Sequence, residues 1–169
     1  MYENFCLWII PENSFYQEIE GVVSQYSKEY DSPIFTPHVT INGRVSLTDD
    51  QVIRKVEKAV FNIKSFEIEV GNVEFSTTYF QCVFVRMKTS AKLLETHLSL
   101  KNALGVKDQH VFMPHASLVY GDFDMKTREK IASEIKFKST GFIAKKITIV
   151  RVDSSNPKDW NIVKQVPLG

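Results

Sequence analysis

A chain of 169 residues that is 43% hydrophobic and contains 12 phenylalanines is long enough for one domain with a sizeable core. Its formal net charge of +1 argues against a dedicated duplex-binding surface, which usually carries a strong basic excess, but still allows a nucleotide or an RNA end as ligand. No apolar tract is long enough to cross a membrane, and the N-terminus lacks the pattern of a signal peptide.

Both cysteines, Cys6 and Cys82, lie in strand-like apolar runs. Free buried thiols in a reducing compartment account for this placement better than a disulfide does. We therefore expect a soluble, compact protein of the cytoplasm.

The first half of the chain predicts the order strand, helix, strand, helix, strand. Apolar residues at spacings of three and four indicate the helices, and a capping-box pattern starts at Thr48 before the second one. The predicted elements are a strand over 5–10, a helix over 15–30, a strand opened by His38, a helix over 52–63 and a strand over 66–75.

The second half predicts the same order, followed by one more strand. Ser90 is placed to cap its first helix and Gly105 to end it. The predicted elements are a strand over 80–85, a helix over 90–104, a strand from His115 to Gly121, a helix starting at Asp122 or Asp124, and strands over 143–152 and 160–166. The basic residues of the last helix, Lys126, Arg128 and Lys130, are interpreted as a solvated face.

A near-constant offset relates the two halves. Four pairs of landmarks are separated by 76 or 77 positions: Cys6 and Cys82, Ser14 and Ser90, His38 and His115, and Phe66 and Phe142. The offset indicates an internal duplication, with lobe-forming repeats over about 1–76 and 77–169 within a single domain spanning 1–169. We expect a bilobal α+β fold in which two antiparallel-rich β-sheets face a central cleft and the helices pack outside.

Each repeat contains one copy of the pattern Pro-His-x-(Thr or Ser)-apolar, and the two copies cover residues 37–41 and 114–118. Because side chains alternate along a strand, His38 and Thr40 point the same way, as do His115 and Ser117. Two of the four histidines fall in this pattern, at equivalent places of a repeat, so chance explains it poorly. Symmetry predicts that both pairs face one cleft.

Two imidazoles and two hydroxyls around one anion suit the opening of a strained cyclic phosphodiester. Water attacks phosphorus in line with the departing ribose oxygen, so the base and the acid lie on opposite sides. An ordinary imidazole pKa of about 6.5 lets one histidine be neutral while the other is protonated. We predict His38 and His115 as the acid–base pair, with either one as the base, and Thr40 and Ser117 as the groups that hold the phosphate.

These motifs and their flanking strings resemble the two-histidine (2H) phosphoesterase superfamily and, within it, the cyclic phosphodiesterase family of plants and fungi. The resemblance extends from Trp8 to nearly the end of the chain. It rests on Pro37-His38-Val39-Thr40, Phe80-Gln81-Cys82-Val83-Phe84, Lys101-Asn102 and Met113-Pro114-His115-Ala116-Ser117-Leu118-Val119-Tyr120. The extra cysteines that some plant members pair in disulfides are missing, so we expect no redox regulation of that kind.

The resemblance implies hydrolysis of ADP-ribose 1″,2″-cyclic phosphate to ADP-ribose 1″-phosphate and of nucleoside 2′,3′-cyclic phosphates to 2′-phosphates, within RNA or tRNA splicing metabolism. It implies no metal and no cofactor, and we expect a monomer whose partner is a small cyclic phosphate, without a membrane or a stable nucleic-acid partner. By the resemblance, Trp8, Phe80 and Tyr120 would form an aromatic patch for the nucleoside. Phe84 is a further candidate, because the offset of 76 makes it the counterpart of Trp8. The alternative for these rings is a place in the core.

Other interpretations fit the sequence less well. A zinc site built from His110, His115 and His38 is a poor hypothesis, because a spacing of five points His110 and His115 to opposite faces of a strand. His97 lies in an amphipathic helix, where a structural role is expected. Two functional alternatives stay open: an RNA-end phosphodiesterase acting on 2′,3′-cyclic or 2′-5′ linkages, and a non-catalytic nucleotide-binding module.

Overall fold

The computed structural model describes residues 1–169, which form eight strands and four α-helices. The strands are β1 (Glu3–Ile9), β2 (Val39–Leu47), β3 (Phe66–Phe75), β4 (Val83–Met87), β5 (His115–Val119), β6 (Gly141–Ala144), β7 (Lys146–Arg151) and β8 (Asn161–Pro167). The helices are α1 (Asn13–Tyr30), α2 (Asp49–Val60), α3 (Ala91–Leu104) and α4 (Met125–Glu134). None of these helices combines the length and apolar character that a membrane span requires.

The helix ends follow the local sequence signals. Thr48 and Gln51 form the predicted capping box at the start of α2. The Ser90 hydroxyl accepts a hydrogen bond from the backbone amide of Leu93 and so caps α3. Gly105 ends α3 in the left-handed conformation, at φ 73°, where a residue without Cβ is least strained.

All eight strands belong to one antiparallel sheet with the order β6-β3-β4-β5-β2-β1-β7-β8. The α+β fold class is confirmed. The two predicted sheets are the two halves of this single sheet. They join where β2 meets β5 through the single residue pair Val39 and Ala116. The two His-containing strands are therefore neighbours at the centre of the sheet.

The sheet is strongly curled. β6 pairs with β3 at one edge, whereas β7 pairs with β1 and β8 near the other edge, yet only Lys145 separates β6 from β7 in the chain. One residue spans so little distance that the two edges have to lie close together. The prediction of a single strand over 143–152 is therefore wrong, because the chain leaves one edge and joins the other at Lys145.

The two faces of the sheet have different roles. On β1, the side chains of Phe5, Leu7 and Ile9 are fully buried and belong to a core of 35 residues that includes Phe15 and other helix residues. The intervening residues of β1 point to the opposite face, away from the helices, as strand alternation requires. The helices thus cover one face, and the other face is left to form a cavity.

Both cysteines are free thiols, as the sequence indicated. Cys82 is fully buried, and burial raises the pKa of its thiol. Cys6 lies on the cavity side of β1 and is partly exposed.

Candidate active site

The two motif histidines are held in the same way. His38 directly precedes β2, and its Nδ1 lies 2.6 Å from the carbonyl oxygen of Thr36. His115 opens β5, and its Nδ1 lies 2.8 Å from the carbonyl oxygen of Met113. Because a carbonyl oxygen only accepts, each Nδ1 carries the proton and each neutral ring leaves Nε2 free to accept one.

The four polar side chains of the motifs line one cavity of about 410 Å³ on the uncovered face of the sheet. Val39 and Ala116, which pair across β2 and β5, lie between the members of each His–hydroxyl pair in sequence. The strand pairing at the centre of the sheet therefore brings together the predicted acid–base and phosphate-binding residues, His38, Thr40, His115 and Ser117.

Burial favours the neutral form of both imidazoles. His38 is 7% exposed, and its ring stacks on Trp8 with a centroid distance of 3.7 Å. This burial lowers the pKa of His38 to about 4, against the opposing effect of the Thr36 carbonyl, and the charge of a protonated His115 lowers it further.

The pKa of His115 is also lowered, mainly by burial and to a smaller extent by the charge of Arg86, while the Met113 carbonyl opposes the shift. An aromatic ring contacts this histidine too: Phe84, the counterpart of Trp8, lies edge-on at 5.2 Å between centroids. Each repeat thus supplies one aromatic ring that packs against its own histidine.

The Ser117 hydroxyl donates a hydrogen bond to the carbonyl oxygen of Phe80 at 2.8 Å. Its hydrogen therefore points to the loop before β4, and donation to a phosphate requires a rotation about the Cβ–Oγ bond. Thr40 lines the cavity from the neighbouring strand β2.

The three rings of the predicted aromatic patch all line the cavity but differ in accessibility. Trp8 is 4% exposed because one face covers His38, and Tyr120 is 2% exposed because it stacks on Phe35 at 3.8 Å. Phe80 is 40% exposed and offers an open face to a ligand. Phe84 is buried against His115 and does not line the cavity.

Seven further residues line the cavity that were not assigned to the site from the sequence, and three of them contact the aromatic wall or His115 or bring a charge. Trp160, from the turn before β8, lies 5.6 Å from Trp8 between centroids. The side-chain amide of Gln81 lies 3.4 Å from Nε2 of His115, where it donates to the neutral ring. Arg44 reaches the cavity from β2. Of these three residues, only Gln81 could have been found from the sequence, since it belongs to the Phe-Gln-Cys-Val-Phe string on which the family resemblance rests.

The loop over 76–82, which carries Phe80 and Gln81, is held by an arginine from α4. The prediction that Arg128 lies on a solvated face is wrong, because it is 3% exposed. Its guanidinium donates to the carbonyl oxygens of Ser76 and Thr78 in this loop, each at 2.8 Å. It also donates to the carbonyl oxygens of two residues near α4, Gly121 and Phe123.

The remaining histidines lie outside the cavity. His97 donates from Nδ1 to the carbonyl oxygen of Ile41 at 2.6 Å and stacks on Phe112, which supports the structural role expected for it. His110 lies exposed before β5. No group of three or more His, Cys, Asp or Glu side chains is arranged to hold a metal ion.

Comparison with known proteins gives one family. The model of the family described as "Cyclic phosphodiesterase-like protein" matches residues 3–168. The cyclic phosphodiesterase of Arabidopsis thaliana is 28% identical over 118 residues, a match that spans 70% of this chain and 65% of the length of the Arabidopsis protein.

Solved structures with very different sequences share the fold. E. coli LigT complexed with 3′-AMP superposes with a TM-score of 0.69 at 9% identity, over 99% of both chains. The TT0787 protein of Thermus thermophilus superposes with a TM-score of 0.62 at 11% identity, over 98% of this chain and 97% of the other. With the family model matching almost the whole chain, the protein belongs to the family of cyclic phosphodiesterase-like proteins.

Proposed function

We propose that this protein hydrolyses ADP-ribose 1″,2″-cyclic phosphate and nucleoside 2′,3′-cyclic phosphates without a metal ion, using His38 and His115 as acid and base. One observation carries the proposal: both imidazoles are anchored through Nδ1 and present Nε2 at the same cavity. Two proton-transfer groups fixed on neighbouring strands can flank one phosphorus atom, as in-line displacement requires.

The reaction needs one neutral and one protonated imidazole. The neutral histidine accepts a proton from water through Nε2 as the water oxygen attacks phosphorus. The imidazolium on the opposite side gives its Nε2 proton to the departing ribose oxygen, so a cyclic 2′,3′-phosphate becomes a 2′-phosphate. Each positioned proton-transfer group typically contributes a factor of about 10²–10⁴ to the rate.

The hydroxyls of Thr40 and Ser117 hold the non-bridging oxygens, on which negative charge grows in the transition state. Ser117 exchanges its bond to the Phe80 carbonyl for a bond to the phosphate when substrate binds. A charged acceptor makes the stronger bond, so this exchange is favourable.

Phe80 stacks on the base or ribose through its exposed face, a contact worth about 1–3 kcal/mol per base in single-strand binders. Trp8 and Tyr120 complete the apolar wall behind the substrate, and Trp8 in addition supports the His38 ring. We further propose that the protein works as a cytoplasmic monomer on small cyclic phosphates released in RNA or tRNA splicing metabolism.

A substrate panel with product identification tests the proposal. We expect wild-type protein to convert 2′,3′-cyclic AMP to the 2′-phosphate, as observed by phosphorus NMR, with full activity in the presence of a chelator. His38→Ala and His115→Ala should each lose most turnover while they remain folded. His110→Ala is the matched control, because His110 is exposed and outside the cavity. Near wild-type rates in either cavity variant would refute acid–base pairing.

A second candidate is an RNA-end phosphodiesterase, favoured by the surface beside the cavity. A hollow of about 740 Å³ shares Phe80 and Ser155 with the cavity and is also lined by Tyr79, Asn156 and Lys158. It can receive the nucleotide that precedes a cyclic 3′ end. A higher kcat/KM for a cyclic-ended trinucleotide than for the mononucleotide would favour this candidate. Binding of cyclic phosphates without any turnover would instead indicate a non-catalytic module.

A further inference from the structure

Arg44 lies on the same face of β2 as Thr40, although β2 is irregular between them. Trp8 pairs with Thr40, Leu7 with Asn42 and Phe5 with Val45, so β2 contains an extra residue in each of these two steps relative to β1. Each extra residue reverses the face on which the following side chains lie. Asn42 accordingly turns to the helix side, where it donates to the carbonyl oxygen of His97, and Arg44 turns back to the cavity.

The guanidinium of Arg44 is anchored but not neutralised. Its Nη2 donates to the carbonyl oxygen of Val152 at 2.8 Å, and no carboxylate lies within ion-pair distance. The other arginines of this sheet are paired: Arg151 with Glu3 and Asp49, and Arg86 with Glu74. Since a guanidinium has five N–H donors, most of those of Arg44 are available to a ligand.

Arg44 is the only permanently charged side chain that lines the cavity. Cys6 lies on β1 between Phe5 and Leu7, whose partners on β2 are Val45 and Asn42, so it lies opposite the stretch that carries Arg44, and both side chains line the cavity. Burial raises the pKa of the Cys6 thiol to about 11, and the charge of Arg44 opposes this shift. Cys6 lies two residues along β1 from Trp8, the ring that covers His38, so Arg44 and His38 line the cavity at positions about 7 Å apart along β1.

The wall next to Arg44 also provides neutral donors. Ser154 lines the cavity just beyond Val152, and its Oγ accepts a hydrogen bond from the backbone amide of Asn156 at 3.0 Å. The hydroxyl hydrogen of Ser154 therefore remains free to be donated. A fixed guanidinium fork with a hydroxyl beside it is suited to a phosphate group.

We propose that Arg44 binds a second phosphate group of the substrate, carried on C5 of the same ribose whose cyclic phosphate is opened. The inference rests on the proposed function and names the residue that would select, among its substrates, those with a phosphate or diphosphate at C5, as in ADP-ribose 1″,2″-cyclic phosphate. The cyclic phosphate and the C5 substituent lie on different sides of one ribose ring, so a single ligand can reach both the histidines and Arg44. A charged hydrogen-bond pair of this kind is worth a factor of about 10–100 in affinity.

Two probes that differ only in this group test the inference: 2′,3′-cyclic AMP and its 5′-phosphorylated form. The measured quantity is the ratio of their kcat/KM values. We expect wild-type protein to favour the 5′-phosphorylated probe by about 10- to 100-fold, and Arg44→Gln to bring the ratio near one. Arg44→Lys keeps the charge without the fork, and should retain part of the preference.

Arg54→Gln is the matched control, because Arg54 is exposed on α2 and outside the cavity. It removes the same charge from the molecule and should keep the wild-type ratio. A wild-type ratio near one, or an Arg44→Gln ratio equal to that of wild type, would overturn the inference while leaving the hydrolysis itself in place. If wild-type protein opened neither probe, the proposed function itself would fail.

Discussion

At the scale of the residue, the two histidines are equivalent in their anchoring but differ in their surroundings. Both donate from Nδ1 to the carbonyl oxygen two residues earlier, so Nε2 of each neutral ring is unprotonated and can accept a proton. His38 is covered by the face of Trp8, whereas Nε2 of His115 meets Gln81. Burial makes the protonated state unfavourable at both positions, and this has consequences for activity and for stability.

The pH dependence of kcat/KM should be a bell with its maximum on the acid side of the ordinary imidazole pKa. In the proposed mechanism the free enzyme needs one proton on the pair, and the pKa is about 4 for His38 and lowered from 6.5 for His115. Activity should therefore rise as the pH increases through about 4 and fall again before about 6.5. The assignment of base and acid does not alter this expectation, because either arrangement requires the same total charge.

Initial rates on 2′,3′-cyclic AMP between pH 4 and 9 check this profile. Thr40→Ala is the control, since it should lower the rate without moving either limb of the bell. A maximum of kcat/KM above pH 7 would contradict the neutral, buried state of the histidines.

The same burial should make the native protein less stable at acid pH. The pKa of His38 is lowered from 6.5 to about 4 on folding, so below pH 6.5 the unfolded chain binds the proton more readily than the native state does. The contribution to the free energy of unfolding is thus lost as the pH falls from 6.5 towards 4, by roughly 2 kcal/mol between pH 7 and pH 5. Urea unfolding measures the free energy of unfolding at pH 7 and at pH 5. The difference between these two free energies should be smaller for His38→Asn than for wild-type protein. An unchanged difference would mean that His38 is solvated.

At the scale of the element, α4 positions the cavity through Arg128, although it contributes no residue to it. The guanidinium of Arg128 donates to four backbone carbonyls, two of them in the loop over 76–82. This loop presents Phe80 to the cavity and Gln81 to His115. A buried cation satisfied by carbonyls alone is a structural device, and its loss leaves several oxygens without a partner.

Arg128→Met should therefore destabilise the protein and also weaken substrate binding. We expect the free energy of unfolding to fall by about 3 kcal/mol and KM for a cyclic nucleotide to rise, because Phe80 and Gln81 lose their support. Denaturant unfolding and steady-state kinetics measure the two effects. Lys126→Met on the same helix is exposed and should change neither quantity. A variant with reduced stability but unchanged KM would show that α4 does not position the loop.

The predictions from sequence succeeded where the signal was local or repeated. Periodicity and caps located the helices, and the offset of 77 between His38 and His115 predicted that the two motifs would meet. They failed where the outcome depends on a partner strand. The alternating run over 143–152 is one apolar stretch, and nothing in its own residues shows that pairing changes at Lys145.

The same limit explains the missed cavity residues. Arg44 is four residues after Thr40, so alternation alone places both on one face, but whether a side chain so far along β2 reaches the cavity depends on the pairing of β2 with β1, which is not readable from one strand. Trp160 comes from a turn far along the chain and lies beside Trp8 only after β7 and β8 have joined β1. Arg128 sits among exposed lysines, and its burial depends on carbonyls that a distant loop provides.

At the scale of the whole molecule, the two predicted repeats, 1–76 and 77–169, exchange strands. β3 belongs to the first repeat but pairs only with β4 and β6 of the second. In return, β7 of the second repeat pairs with β1, and β8 extends the same edge. Each half of the sheet therefore contains strands from both repeats, and the cavity lies where these halves join at β2 and β5.

This exchange predicts that neither repeat folds alone. In a fragment over 1–76, β3 has no partner strand and β1 loses its hydrogen-bonded neighbour β7, so too little surface is buried to offset the loss of chain entropy. We expect separate fragments over 1–76 and 77–169 to lack a cooperative thermal transition. When refolded together, they should recover the circular dichroism and the cyclic phosphodiesterase activity of the intact chain. The mixture containing His115→Ala in the second fragment is the control, and it should recover the fold without the activity. A cooperative transition in either fragment alone would show that the repeats are independent lobes, and that the cavity arises from docking between them.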